Sequence, residues 1–201
     1  RTRHWKVAWS AGNEKLNPAD ASATKVAQLS VALNGTVFGV DVNPAADALR
    51  IISNTGQNLR FSFSAGTTTV DVPLTYPPAT TPATGVTGAA YTNNDSDPNT
   101  ATTLYDIDTR MNQVAIQAPA NSGQLSPTGM LTVDTSIRVG FDIYSTVRDG
   151  STVDVRGLAS LVVNGRVGMY RITLFTGRAT FQGAFSNNNR VIDIAIPLNQ
   201  L

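Results

Sequence analysis

Apolar and polar residues alternate in short runs along nearly the whole chain, and Gly, Pro, Asn and Asp repeatedly cut the runs. A period of two is the pattern of half-buried β-strands. It predicts strands at 25–29, 59–63, 68–74, 103–108, 114–117, 138–144, 158–163, 168–173 and 179–185. Helical spacing is nearly missing. The best candidate begins at Pro44, with Asn43 placed to cap it. Residues 45–50 fit a tight turn entering a strand at 49–53 equally well. Asn34-Gly35 and Asn164-Gly165 are hairpin signals, because both residue types tolerate positive φ. The proline-rich stretch 76–82 predicts an extended surface loop.

The strands recur in blocks. Gly39-Val40-Asp41-Val42, Gly88-Ala89-Ala90-Tyr91, Gly140-Phe141-Asp142-Ile143 and Val191-Ile192-Asp193-Ile194 begin 49, 52 and 51 residues apart, and three of the four carry Asp third. A period of about fifty residues, with about four strands in each, is the spacing of β-propeller blades. One such sheet cannot bury both faces alone, so neighbours must stack. Residues 39–87, 88–139 and 140–190 form three whole units within one domain spanning 1–201. Residues 1–38 lack an innermost strand, and 191–201 supplies a spare one. The expectation is therefore an all-β, four-bladed propeller whose two ends share a blade, or part of a five-bladed ring if residues precede Arg1. The chain starts at Arg1 without an initiator Met, which reads as a processed or incomplete end. A β-sandwich with coincidental repeats is the competing fold.

Composition narrows the classes. Charged residues are only 14%, yet β-branched residues are plentiful, so the chain does not read as disordered. The net charge of +1 comes with scattered arginines. That is no footprint for nucleic acid, which needs a clustered basic face. No apolar run approaches the ~20 residues of a membrane helix, and no signal peptide is visible. Cysteine is absent, which excludes disulfides and thiolate metal sites. His4 is the sole histidine, so neither a histidine metal cluster nor a Ser–His–Asp triad forms within one chain.

The stretch from Phe38 through Gly39-Val40-Asp41-Val42-Asn43-Pro44 to Leu59-Arg60 resembles the DUF4394 family. So do Ala89-Ala90-Tyr91-Thr92-Asn93-Asn94, Thr103-Leu104-Tyr105-Asp106-Ile107-Asp108-Thr109 and Gln117-Ala118-Pro119-Ala120-Asn121. The likeness spans roughly residues 15–195. It implies a propeller-like domain of bacterial secreted or cell-surface proteins, hence an extracellular, periplasmic or surface location. It implies no reaction. The family pattern has an aromatic residue where Val42 stands, Arg at Ala48 and Asp at Asn54.

Candidate chemistry is sparse. Asp41, Asn43, Asp47, Arg50, Asn58 and Arg60 crowd hydrogen-bonding groups into twenty residues. They form either a polar ligand site at a blade end or a set of turn and ion-pair contacts. Asp41, Asp142 and Asp193 share one repeat position. Facing a central axis, they would draw in a cation or an arginine; otherwise each caps its strand. Asp95, Asp97 and Asn99, with Asp106, match calcium-loop positions 1, 3, 5 and 12, but Thr100 replaces the glycine that template needs. Calcium is thus the one cofactor the sequence suggests. Tyrosines and tryptophans offer either sugar stacking or strand packing.

These features favour a secreted or surface-associated binding or structural module, engaging a surface polymer or a protein. One alternative is an extracellular carbohydrate hydrolase using paired carboxylates; another is a calcium-stabilised propeller. A hydrolase needs two free carboxyl groups ~5–10 Å apart across an open cleft. Carboxylates engaged by backbone amides are lost to it. Edge strands at an imperfectly closed ring make a homo-oligomer plausible.

Overall fold

The computed structural model describes residues 4–7, 12–17, 20, 22–93, 99–149, 151–186 and 191–196. All regular structure among them is β apart from a short 3₁₀ turn, Ala120–Ser122. Three four-stranded antiparallel sheets follow one another along the chain. The first holds β4 (Phe38–Asn43), β5 (Ala48–Ser53), β6 (Asn58–Ser62) and β7 (Thr67–Val70). The second holds β8 (Val86–Tyr91), β9 (Leu104–Asp108), β10 (Gln113–Gln117) and β11 (Leu125–Met130). The third holds β12 (Gly140–Arg148), β13 (Ser151–Val163), β14 (Arg166–Ile172) and β15 (Ala179–Ala184). In each, spatial order equals chain order. A three-stranded sheet of β1 (His4–Val7), β2 (Gly12–Leu16) and β3 (Ala23–Gln28) precedes them.

The core lies between successive sheets. Ile52 and Leu74 of the first half meet Val86, Ala89, Tyr91, Leu104, Ala115 and Leu125. The other face of the second sheet offers Ala90, Tyr105, Ile107 and Val114 to Phe141, Ile143, Leu161 and Ile172. The second sheet is therefore buried on both sides, and every residue of β8 and β9 is buried. β5 is buried throughout as well. Its Leu49 and Ile51 pack with Leu29, Leu59 and Phe61, while Ile52 joins the seam with the second sheet. Arg50, on the Ile52 side by strand alternation, must then be paired or pay heavily for its buried charge.

The first strands of the three sheets, β4, β8 and β12, lie against one another, and β1 lies against β4. Two glycines make this approach possible. A Cβ at Gly39 would stand 2.8 Å from the Ala89 nitrogen, and one at Gly140 would stand 2.5 Å from the Asp193 Cα. Real Cβ atoms do not come so close to backbone, so only glycine lets the neighbouring chain pass there.

Of the two readings of residues 44–47 the structure shows the turn, with β5 starting at Ala48. Two expectations change. Asn34-Gly35 is not a hairpin, since β3 and β4 belong to different sheets. The Asn54 side chain captures that loop instead, accepting the Thr36 and Val37 amides. Residues 191–196 run beside β12 without strand pairing.

Candidate functional site

The alternation of β4 and β12 turns Asp41 and Asp142 toward the chain that follows each sheet. Asp41 Oδ1 accepts its neighbour's amide, Val42 N, at 2.7 Å. Its Oδ2 accepts the β8 amide Tyr91 N at 2.6 Å. Asp142 repeats the pattern: Oδ1 accepts Ile143 N at 2.7 Å and Oδ2 accepts Ile196 N at 2.5 Å. In both, one oxygen fixes the rotamer and the other ties a first strand to the segment beyond. Burial drives the Asp41 carboxyl well above its ordinary pKa, helped by the negative charge of Asp142. Burial likewise pushes Asp142 up to about 7, against the pull of the Ile196 and Ile143 amides.

Asp193 differs from the other two. Its Oδ1 accepts Ile194 N at 2.9 Å, and burial raises it to about 6. The side chain nevertheless keeps solvent contact. Asp193 is also out of register with Asp41 and Asp142. Gly39 abuts the 88–89 peptide, and Gly140 abuts the 193–194 peptide. Tyr91 and Ile196 are the matching amide donors. Both correspondences align Asp193 with Gly88, leaving Ala195 opposite Asp41 and Asp142 in the pattern. The shared position of the three aspartates is thus a two-residue slip.

The other predicted residues divide. Arg50, Asn58 and Arg60 converge. Arg50 Nη1 donates to Asn58 Oδ1 at 2.7 Å and to Asp71 Oδ2 at 2.6 Å. Its Nη2 donates to Asn121 Oδ1 at 2.7 Å, and its Nε lies 3.4 Å from the Tyr91 hydroxyl. Asn58 donates to Val72 O and Ala120 O, both at 3.0 Å. Arg60 closes the group from outside, with Nη2 3.2 Å from Asp71 Oδ1. The cluster clamps the first sheet to the second through the 3₁₀ turn. Asn43 stands apart and caps its turn by accepting the Ala45 and Ala46 amides. Asp47 is exposed in that turn, in the left-handed region at φ 45°.

Asp95 and Asp97 of the calcium template lie outside the described residues. Asn99 is exposed, and Asp106 is in β9, fully buried. Among the described residues, no three His, Cys, Asp or Glu side chains converge to hold a metal ion, and no helix is long and apolar enough to cross a membrane. Sequence reasoning did not single out Asp71, Gln117 or Asn121 as site residues, and it placed Asp106 only in the calcium template. Asp106 is the most unusual of them. Among the described residues, neither of its oxygens has a hydrogen-bond partner, nor does Gln117 Oε1. Burial drives the Asp106 carboxyl well above its usual range, with the Arg50 charge opposing.

The protein is thus an all-β chain of consecutive four-stranded meanders, with polar clamps between its sheets. Residues 12–195 match the family described as "Domain of unknown function (DUF4394)", and the chain belongs to that family. Among curated proteins, none matches. Solved structures similar to it include the N-terminal domain of Nup159, at 14% identity and a TM-score of 0.36. That match covers 92% of this chain and 47% of the other, so the chain spans about half the length of that structure.

Proposed function

We propose that the chain is a small β-propeller module that binds or scaffolds at the cell surface and does not catalyse. One observation carries the reading: both oxygens of Asp41 and both of Asp142 already accept backbone amides. A glycosidase needs one such group free as acid and another free as base or nucleophile. Here the two best carboxylates join strands instead. The ring reading is supported by the mutual approach of β4, β8 and β12, and by β1 lying against β4. Four blades result if the three-stranded β1–β3 sheet, with the unpaired segment 191–196 lying against β12, closes the ring; five result if a further unit precedes. The surface location follows from the family likeness.

A recognition element suggests itself on the third sheet. β14 pairs with β13 only from Gly157 onward, while β12 continues to Arg148 opposite Ser151. Among the described residues, the two strands therefore pair only with each other there, as a ribbon, and Val153 is exposed on it. Edge strands and exposed apolar residues are common docking features.

The test separates the classes. The protein is incubated with a panel of soluble cell-wall polysaccharides, and reducing ends are measured. The reading expects no release above that of the D41N/D142N double variant. Release that this variant loses overturns it in favour of a hydrolase. Retention in affinity gels containing the same polymers tests the binding half, with Val153→Asp expected to weaken retention. Retention that depends on added calcium would favour the metal-dependent alternative.

A further inference from the structure

The clamp around Arg50 leaves an unexplained group behind it. Asp106 is fully buried in the middle of β9, and both carboxylate oxygens are without partners among the described residues. Buried polar groups are almost always hydrogen-bonded, to protein or to internal water. Asp106 lies opposite Ala89 in β8 and opposite Ala115 in β10. Its flanking side chains are therefore single methyl groups, which leave room on that face. Strand alternation puts Tyr91 and Gln117 on the same face, two residues beyond the alanines.

Those two neighbours carry complementary unused capacity. Gln117 Nε2 donates to Ala120 O at 2.6 Å and contacts Asn58 Oδ1 at 3.4 Å. Two acceptors around the nitrogen fix which end of the amide is oxygen. Gln117 Oε1 is consequently a true acceptor, buried and unpartnered. The Tyr91 hydroxyl accepts from Arg50, which leaves its own proton to give. A carboxyl oxygen of Asp106, Gln117 Oε1 and the Tyr91 hydroxyl proton thus share a face as two acceptors and one donor, which the two protons and a lone pair of one water match; a protonated Asp106 still keeps its carbonyl oxygen as acceptor. Buried waters typically make about three hydrogen bonds to otherwise unsatisfied groups. A cation fits less well. It would sit beside the Arg50 guanidinium, and two arginines already share the single carboxylate of Asp71.

We infer that the seam between the first two four-stranded sheets is an internal hydration site. In it, a structural water donates to Asp106 and to Gln117 Oε1 and accepts from the Tyr91 hydroxyl. The site joins Asp106 to the Arg50 clamp, so one continuous polar network crosses the apolar seam.

The test is a high-resolution crystal structure of the full chain, with a second crystal soaked in rubidium chloride. The expected result is a density peak within hydrogen-bond distance of Asp106 and Gln117 Oε1, with no anomalous rubidium signal. A dry seam with the carboxylate turned onto a protein donor overturns the inference. A rubidium peak at the site also overturns it, in favour of a cation. In solution, ¹⁷O relaxation dispersion counts long-lived internal waters. Asp106→Leu should lose at least one relative to the unsubstituted chain, and an unchanged dispersion amplitude contradicts the site. The density of the unsubstituted chain decides the matter even where Asp106→Leu does not fold.

Discussion

Replacing Arg50 with methionine removes the guanidinium while keeping much of the stem's volume. Arg50 is 2% exposed and lies at the junction of the first two sheets. Its head group makes three short hydrogen bonds and one long one. The substitution does not forfeit all of them equally. Asp71 keeps Arg60 at 3.2 Å, and Asn58 keeps its long contact with Gln117. Asn121 Oδ1 loses the donor that holds it against the first sheet. Removing one member of a buried ion pair costs about 3–5 kcal/mol. The surviving Arg60 contact points to the lower end, about 3 kcal/mol. For a chain of this length that lowers Tm by about 6–12 °C. Urea unfolding followed by tryptophan fluorescence, with calorimetry alongside, measures it. Arg60→Ala is the control. The Arg60 side chain is 38% exposed, and such rim pairs contribute about 1 kcal/mol or less. An Arg50→Met variant within about 0.5 kcal/mol of the parent refutes the clamp. So does an Arg60→Ala variant that costs more.

Other consequences follow from the same geometry. Asp142 has a carboxyl group raised to about 7 by burial. The folded chain therefore binds its proton more tightly than the unfolded chain does. Its contribution to stability is complete below the unfolded value of about 4 and is lost as pH rises through about 7. Tm should fall over that window, and Asp142→Asn should flatten the fall; a profile that rises instead contradicts the assignment. Gly140→Ala places a methyl 2.5 Å from the Asp193 Cα and should cost about 1–3 kcal/mol. Gly183→Ala, whose methyl meets nothing within 4 Å, should be near neutral in the same urea series. Asp41→Ala should cost about 1–3 kcal/mol by orphaning the Tyr91 amide, and Asp41→Asn should restore part of it. Adding a chelator should leave the thermal melt unchanged; a drop in Tm reversed by calcium would support the metal-stabilised alternative.

Much of the strand pattern was legible because the meanders obey a period of two. Asn164-Gly165 joins β13 to β14 with both residues at positive φ, as that dipeptide predicts. Asn34-Gly35 carries the same signal and does something else, because a dipeptide does not report which sheet comes next. The slip at Asp193 has a related cause. Shifting a strand by two residues returns every side chain to its original face, so alternation alone cannot detect it. The glycine contacts do. Half of the Arg50 cluster was visible as a local crowd of polar residues. Asp71 and Asn121 were not, because they reach Arg50 from 21 and 71 residues away. Asp106 was legible only as the last position of a calcium template; the better signal was an acid in the middle of Leu104-Tyr105-Asp106-Ile107, where both alternation classes are otherwise apolar.

The central claim is that Asp41 and Asp142 serve architecture, tying each first strand to the segment beyond it. Amide hydrogen exchange at Tyr91 and Ile196 tests this most directly, measured by NMR in the parent and in Asp41→Ala and Asp142→Ala. The account predicts that both amides are protected in the parent. Asp41→Ala should selectively expose Tyr91, and Asp142→Ala should selectively expose Ile196. Fast exchange at both amides in the parent, or protection that neither substitution changes, would contradict it.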